Sequence, residues 1–298
     1  MGDVADRRPL VWVTGAGGLL GHYLVATAPR YAPQWRLLGV TRDLVDLTNA
    51  AAVERLWRQT SPQLVIHCAA ISKAVACEAD PARTHAVNVE ATANLAQLAA
   101  NGRLIFISTD HVFDGTQGAY RETDPVSPLT TYGRSKVEAE RRVSAYPQHT
   151  VLRTSLTAGL SPTGDRSFVE ETLTAWARGG ILKLFTDEFR CPLPAAATAR
   201  AIWEVATQDM PGLYHLAGAE RLSRWEIGQL LAAEYPEKHP QCAPGSLRDY
   251  AGPPRAPDLS LDSAKLQSTL SFRLPGFRSW LAAHPRDNND AIWDPLTL

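Results

Sequence analysis

The chain has 298 residues, of which 45% are hydrophobic and 20% charged, and its formal net charge is -1. This balance is typical of a globular protein with a large core, and it excludes a disordered or fibrous chain. The near-neutral charge also excludes the basic surface that binds nucleic acid or an anionic membrane, so we expect neither as a partner.

The termini, cysteines and histidines narrow the class further. No apolar run approaches the roughly 20 residues that cross a bilayer, and residues 1–8 lack the apolar centre of a signal peptide, so we expect a cytoplasmic protein. Neither the histidines nor Cys68, Cys77, Cys191 and Cys242 show the spacing of metal ligands. We therefore predict free thiols and no bound metal.

Apolar, β-branched runs alternate with amphipathic stretches through the first half of the chain. Because parallel strands are covered on both faces, such runs predict a parallel sheet between two helical layers, which is a doubly wound α/β fold. The predicted strands lie at residues 10–14, 35–40, 63–68, 103–108 and 150–154. Between the third and fourth, Asp80-Pro81 predicts a helix start and Asn101-Gly102 its stop.

After about residue 155 the alternation loosens, and glycines and prolines punctuate the chain. This change predicts a second, smaller lobe. A helix at 195–206 and a strand at 212–216 indicate a return to the first domain. We predict a dinucleotide-binding domain at 1–155, to which 193–218 returns, and a substrate-binding lobe at 156–192 and 219–298.

A glycine-rich turn follows the first strand with GxxGxxG spacing. Gly15 permits the tight turn, Gly18 lets the backbone approach a pyrophosphate, and Gly21 allows the helix to pack closely on the strand. Leu20 stands where the GxGxxG fingerprint has its last glycine. Such a turn can be merely structural, but at the first strand-to-helix junction we expect the amides around Leu19 and Leu20 to bind phosphate.

The end of the second strand decides between the two nicotinamide cofactors. A carboxylate there binds the ribose 2′-hydroxyl and repels a 2′-phosphate, whereas this chain has Thr41 and Arg42. Arg42 can pair with a phosphate and Thr41 can donate to it. We predict NADPH; a surface pair between Arg42 and Asp43 would instead leave the choice open to NADH.

Tyr132 and Lys136 are four residues apart, hence on one face if their segment is helical. A tyrosine, with a pKa near 10, is a poor acid at neutral pH unless a positive charge favours its phenolate, and Lys136 can supply that charge. Alone, this pair could be an exposed helical pair. Thr109 follows the fourth strand, however, at the edge where ligands of doubly wound folds bind, and it can grip a carbonyl.

Together these residues resemble the extended short-chain dehydrogenase/reductases. Within that superfamily, Ser108-Thr109-Asp110-His111-Val112-Phe113-Asp114-Gly115 and Tyr132-Gly133-Arg134-Ser135-Lys136 are similar to the dTDP-4-dehydrorhamnose reductase family. The resemblance implies NADPH-dependent reduction of a nucleotide-linked 4-keto-6-deoxy sugar. It also implies a catalytic triad of Thr109, Tyr132 and Lys136, of which Tyr132 and Lys136 also contact the cofactor.

The resemblance implies further site residues. Those expected at the cofactor are Asp46, Leu47, Cys68, Ala69, Ala70 and Asn88. Those expected at the substrate are Ser72, Asp110, His111, Arg153 and Leu156. Three departures concern the sugar: Val75-Ala76 stands where the family usually has Asp-Lys, His111 where it has tyrosine, and Leu156 where it has tryptophan. A different keto sugar, or no sugar nucleotide at all, is therefore open.

Two other functions fit the same resemblance. One is a non-catalytic NADP-binding regulatory subunit, similar to the β subunit of methionine adenosyltransferase, although the intact triad argues against it. The other is an epimerase or dehydratase with tightly held NAD, which uses the same triad. A homodimer is compatible with each of these functions.

Overall fold

The computed structural model describes residues 7–284 and 290–296. Residues 1–6, which include most of the segment used to judge a signal peptide, therefore lie outside the described residues. So do residues 285–289 and 297–298 of the predicted second lobe. The strands are β1 (Leu10–Thr14), β2 (Arg36–Val40), β3 (Leu64–His67), β4 (Arg103–Thr109), β5 (Thr150–Thr154), β6 (Thr157–Ala158), β7 (Ile181–Phe185), β8 (Phe189–Arg190), β9 (Leu193–Pro194), β10 (Gly212–Leu216), β11 (Leu222–Ser223) and β12 (Gln241–Gly245). The α-helices are α1 (Leu19–Tyr31), α2 (Ala50–Thr60), α3 (Ala74–Ala79), α4 (Pro81–His85), α5 (Ala91–Leu98), α6 (Thr131–Ser144), α7 (Phe168–Ala177), α8 (Ala195–Gln208), α9 (Arg224–Glu234), α10 (Ala264–Gln267) and α11 (Phe277–Ala283).

Six strands form one parallel sheet in the order β10-β5-β4-β3-β1-β2. The chain starts at β1, forms the edge strand β2 beside it, and then crosses to the other side of β1 and continues through β3, β4 and β5 to the opposite edge, which is the doubly wound topology. The five strands predicted in the first half are confirmed to within one residue at each end. All carboxyl ends point to one edge, so the segments that follow β1, β3 and β4 converge there.

Alternating side chains of the sheet enter two separate cores, one on each face. On one face, Val11 and Val13 pack in the cluster that contains residues of α1 and α8. On the other, Leu10 and Trp12 pack in the cluster that contains residues of α2, α5 and α6. Because both faces are covered, every residue of β1 is buried, as the apolar sequence of that strand predicts.

The chain leaves the sheet after β5 and comes back to it at β10, which pairs with β5. α8 precedes this strand and packs on α1, where Trp203 Nε1 donates to the carbonyl oxygen of Leu24 at 3.2 Å. Three two-stranded sheets, β6 with β9, β7 with β12 and β8 with β11, lie between these segments or follow them. The division into lobes at the predicted boundaries stays a proposal.

The helix predicted after Asp80 begins as expected but is interrupted. The Asp80 carboxylate accepts from the amide of Arg83 at 2.9 Å, and Pro81 occupies the first helical position. Residues Ala86–Glu90 then form a π-helical turn before α5 continues. Such turns often mark functional sites. Here the turn contains Asn88, whose contacts are described below.

Within the described ranges, no helix is long and apolar enough to cross a membrane. The same residues contain no group of three or more histidine, cysteine or acidic side chains that could hold a metal ion. All four cysteines are free: Cys77 and Cys191 are buried, whereas Cys68 and Cys242 are half-buried.

Candidate active site

The glycine turn after β1 has the shape that a pyrophosphate requires. Gly15 has a φ of +68° and donates its amide to the carbonyl oxygen of Val40 at 3.0 Å. A Cβ on Gly15 would lie 2.8 Å from the amide nitrogen of Ala69, and one on Gly21 would overlap the carbonyl oxygen of Gly15. α1 begins at Leu19 without a side-chain cap or an acidic residue in its first turn. Its first amides therefore remain available for an anion.

At the end of β2, Arg42 is exposed and forms no ion pair with Asp43 or any other described residue. Hydrogen bonds from Thr48 lower the pKa of Asp46, and the charge of Arg42 adds to that effect. The two other residues predicted at this edge, Thr41 and Leu47, are half-buried. The guanidinium of Arg42 is thus free to meet a phosphate at the edge of the sheet.

Residues 68–70 follow β3 and lie against the glycine turn. The amide of Ala69 donates to Oγ1 of Thr14 at 3.3 Å. Burial raises the pKa of the Cys68 thiol to about 12, so this side chain is neutral. The segment brings small side chains close to the turn, as predicted for a wall of the cofactor site.

Asn88 ties that segment to α6. Its Oδ1 accepts from the amide of Ile71 at 2.8 Å, and its Nδ2 donates to the carbonyl oxygen of Ile71 and to Oγ of Ser135, both at 3.0 Å. All of these partners belong to the protein, and Asn88 is buried. The sequence predicts Asn88 at the cofactor; its contacts give it a role in positioning the two segments that meet there.

Thr109 is the last residue of β4, and its hydroxyl is held from two sides. Its Oγ1 donates to Oδ1 of Asp110 at 3.1 Å and accepts from the amide of His111 at 3.2 Å. The second carboxylate oxygen of Asp110 accepts from Oγ of Ser155 at 2.9 Å. Because Asp110 is only 3% exposed, these bonds fix the position of Thr109.

Tyr132 stands in the first turn of α6, which is capped by Thr130 and Glu78. The Thr130 hydroxyl accepts from the amide of Gly133 at 3.1 Å, and the Glu78 carboxylate accepts from the amide of Thr131 at 2.7 Å. The side chain of Thr109 lies near the Tyr132 hydroxyl and lowers its pKa, but burial raises that pKa and has the larger effect. The phenol therefore keeps its proton at neutral pH.

Lys136 lies one turn further along α6, 2% exposed. Its Nζ donates to the carbonyl oxygen of Ile107 at 2.7 Å and lies 3.9 Å from the centre of the Phe106 ring. Burial lowers the pKa of Lys136 to about 7, and Glu140 opposes this effect. The sequence predicts that Lys136 lowers the pKa of Tyr132. Burial is the largest influence on the pKa of Tyr132, and the effect of Lys136 on Tyr132 stays a prediction.

Asp110, one of the predicted substrate residues, accepts from Thr109. His111, Leu156 and Ser72 have three different surroundings. The ring of His111 meets that of Tyr132 edge-on, with their centres 5.9 Å apart, and burial lowers the pKa of His111. Leu156 is half-buried against the larger core, and Ser72 is exposed in the loop before α3. His111 is thus the predicted substrate residue that contacts the tyrosine.

Arg153, which is expected at the substrate, is 4% exposed in the structure. Its guanidinium forms a bidentate pair with Glu140, with N–O distances of 3.0 and 2.8 Å, and faces the ring of Phe113. Arg153 is on β5, opposite His215 of β10. Its observed role is to hold Glu140, and a contact with substrate stays a prediction.

A charged cluster that no sequence motif predicts borders Asp110. Glu188 is 2% exposed and accepts from Arg255 at 2.7 and 2.9 Å, while Arg190 lies 3.1 Å from it. Arg190 also lies 4.0 Å from Oδ2 of Asp110. Arg224 faces this cluster, and its guanidinium has no hydrogen bond or ion pair to any residue that the structure describes. The basic side chains were the available signal, but they lie far apart in the sequence and follow no motif.

This fold, with Thr109, Tyr132 and Lys136 at the carboxyl edge of its sheet, defines an oxidoreductase of the extended short-chain dehydrogenase/reductase type. The chain belongs to the family described as the RmlD substrate binding domain, whose model matches residues 9–287. A "dTDP-4-dehydrorhamnose reductase" of Sinorhizobium fredii is 31% identical over 89% of this chain and 93% of its own length.

Other relatives resemble the chain over similar lengths. "Methionine adenosyltransferase 2 subunit beta" of Xenopus laevis is 30% identical over 89% of this chain and 83% of its own length. The crystal structure of a dTDP-4-dehydrorhamnose reductase from Bacillus anthracis in complex with NADP is 23% identical, with a TM-score of 0.84 over 93% of this chain and 98% of that one. The predicted superfamily and fold are therefore confirmed.

Proposed function

We propose that this protein is an NADPH-dependent reductase of a nucleotide-linked 4-keto-6-deoxy sugar. The observation that carries the proposal is the placement of the three residues: Thr109 ends β4 beside the Tyr132 side chain, and Lys136 is buried one turn further along α6. Relatives named as dTDP-4-dehydrorhamnose reductases support the substrate class, since one of them matches nearly the whole chain.

The residues near the first strand fit NADPH. The close approach of Gly21 to Gly15 and the uncapped start of α1 suit a pyrophosphate, and the unpaired Arg42 suits a 2′-phosphate better than a 2′-hydroxyl. NADH lacks that phosphate and is the weaker candidate. When bound, the nicotinamide supplies the hydride that reduces the carbonyl carbon. The NADP complex of the Bacillus anthracis relative agrees with this choice.

The protein's own groups act on the carbonyl oxygen. Tyr132 donates its proton to that oxygen as negative charge develops, and Thr109, oriented by Asp110, contacts the same atom. The positive charge of Lys136 stabilises the phenolate that remains. The carbonyl thus becomes an alcohol by gaining a hydride at carbon and a proton at oxygen, and the phenolate regains its proton before the next turnover.

The charged cluster of Glu188, Arg190, Arg224 and Arg255 supports an anionic substrate. Arg255 and Arg190 are already paired with Glu188, whereas Arg224 is unpaired. The Arg224 guanidinium lies 5.4 Å from the centre of the Phe168 ring, which leaves its N–H groups able to pair with a phosphate, so we assign Arg224 to the diphosphate of the sugar nucleotide. Because His111 and Leu156 replace aromatic residues usual in the family, we expect the sugar pocket to differ from theirs.

We also propose that the protein works in the cytosol on this small molecule, without nucleic acid as a partner, and that it forms a homodimer. Its formal charge of -1 gives no excess of positive charge for binding nucleic acid. Sedimentation of the purified protein at several concentrations would establish whether two chains associate.

The test is NADPH oxidation against a panel of nucleotide-linked 4-keto-6-deoxy sugars, with product identified by mass. We expect reduction of at least one member and a lower rate with NADH. If no member is reduced and the protein instead alters the activity of a partner enzyme, a regulatory subunit like the Xenopus relative is the better description. If oxidised NAD copurifies with the protein, an epimerase or dehydratase is favoured.

A further inference from the structure

Glu140 is a buried carboxylate one turn beyond Lys136 on α6. It is 7% exposed, and its Oε1 accepts from Oγ of Ser108 at 2.5 Å and from Nε of Arg153 at 3.0 Å. Its Oε2 accepts from Nη2 of Arg153 at 2.8 Å. Burying an ion pair is costly unless its hydrogen bonds are made, and here the carboxylate makes three. The clamp therefore holds the Glu140 carboxylate at a fixed position within the protein.

Adjacent residues of β4 hold the two charged side chains. The carbonyl of Ile107 accepts from Lys136, and the next side chain, Ser108, donates to Glu140. Lys136 and Glu140 are four positions apart on α6, so they lie on the same side of the helix. The carboxylate consequently has a fixed place relative to the ammonium.

The other titratable groups that face Lys136 are neutral at physiological pH. From the end of β3, burial raises the pKa of Cys68 to about 12 and lowers that of His67 to about 3. Among these neighbours, Glu140 is the one whose negative charge favours the protonated form of Lys136.

The groups that face the clamp from the other side add no negative charge to it. Arg153 partly offsets the charge of Glu140. Burial lowers the pKa of His215, which lies beside Arg153 on β10, so that ring is neutral. The negative charge near Lys136 therefore comes from the Glu140 carboxylate.

We propose that Glu140 is a positioning residue for the reduction: its carboxylate, clamped by Arg153 and Ser108, keeps Lys136 charged and so sets the pH range in which Tyr132 acts. The proposal depends on the reductase activity proposed above. It extends the site beyond the residues that contact substrate or cofactor, and it assigns a purpose to the buried Arg153.

The test is the pH dependence of kcat at saturating NADPH and keto sugar for the wild type, Glu140→Gln, Glu140→Asp and Glu138→Gln. Removing the charge in Glu140→Gln makes Lys136 lose its proton more readily, so the alkaline fall in kcat moves to lower pH by about one unit. Glu140→Asp keeps the charge, so the fall stays within about 0.3 units of wild type even if kcat drops.

Glu138→Gln is the matched control, because Glu138 is on the same helix but is paired with Arg142 at the surface; its profile matches the wild type. If Glu140→Gln folds and its pH profile matches the wild type, the proposal is overturned. If Glu140→Gln does not fold, Glu140→Asp decides: a shift of about one unit in that variant also overturns the proposal. A wild type that reduces no keto sugar would instead contradict the proposed function.

Discussion

Thr109 and Tyr132 lie side by side at the active site, although one residue ends a strand and the other stands in the first turn of a helix. Asp110 holds Thr109 by accepting from it at 3.1 Å. The oxygen of the Thr109 hydroxyl is therefore held in place before a ligand arrives, and its proton has only to turn from Asp110 to the ligand. A donor held in place in this way stabilises developing negative charge with little reorganisation.

Arg42 should decide the cofactor preference. We expect Arg42→Ala to reduce the ratio of kcat/KM for NADPH to that for NADH by about 10- to 100-fold, because a charge-assisted contact with the 2′-phosphate is lost. Arg58→Ala, another exposed arginine paired only with Glu54 on α2, should leave the ratio unchanged. An equal ratio in wild type and Arg42→Ala would remove Arg42 from the cofactor site.

The glycines of the turn should differ in tolerance. A Cβ on Gly21 would overlap the carbonyl oxygen of Gly15, whereas one on Gly17 has nothing within 4 Å. We expect Gly21→Ala to lower the free energy of unfolding of the apoprotein by about 2–4 kcal/mol, and Gly17→Ala to change it by less than about 1 kcal/mol. Urea unfolding measures both. Similar values for the two variants would contradict the packing described here.

Lys136 should destabilise the apoprotein at neutral and acidic pH. Its pKa falls from 10.5 to about 7 on burial, so between these values the unfolded chain binds more protons and the stability of the wild type rises with pH. We expect Lys136→Met to raise the free energy of unfolding by about 1–3 kcal/mol near pH 6. The gain should shrink as pH rises through this window.

The control for that experiment is Lys265→Met. Lys265 also donates to a carbonyl oxygen at 2.7 Å, that of Leu213, and lies 4.3 Å from the centre of the Tyr214 ring, but it is exposed. It should therefore show no pH-dependent gain. A constant difference between wild type and Lys136→Met from about pH 6 to about pH 10 would show that burial does not lower the pKa of Lys136.

Arg224 should bind the substrate rather than take part in chemistry. We expect Arg224→Ala to raise KM for the sugar nucleotide about tenfold or more while kcat stays within about threefold, because binding to the remote phosphate is lost. Arg221→Ala is the control, since Arg221 is exposed and paired with Asp258 at 2.7 Å. If both variants kept the wild-type KM, the diphosphate would lie elsewhere.

The sequence predicts the sheet well because each of its strands is a short apolar run bounded by turn residues. Leu10–Thr14 and Thr150–Thr154 match their predicted bounds, since covering both faces leaves no ambiguity about which side is buried. The two-residue strands after β5, such as Leu222–Ser223, have no such signal. Their pairing depends on contacts between segments that are distant in the chain.

The site is predictable only in part, for a similar reason. Thr109, Tyr132 and Lys136 belong to motifs with fixed spacing, so the sequence indicates them. The motif does not specify the burial that raises the pKa of Tyr132. Nor does it specify the ion pair with Glu140 that holds Arg153 in the interior. Charge and burial at a site depend on the packed neighbours, which the linear pattern does not specify.

The most direct test of the central claim is Tyr132→Phe, compared with wild type in a single turnover with enzyme in excess over the keto sugar. Phenylalanine keeps the ring and removes the proton donor, so we expect NADPH oxidation to slow by about 10²- to 10⁴-fold while the Kd for NADPH stays within about threefold. A variant that reduces the sugar at the wild-type rate would contradict the assignment of Tyr132 as the acid.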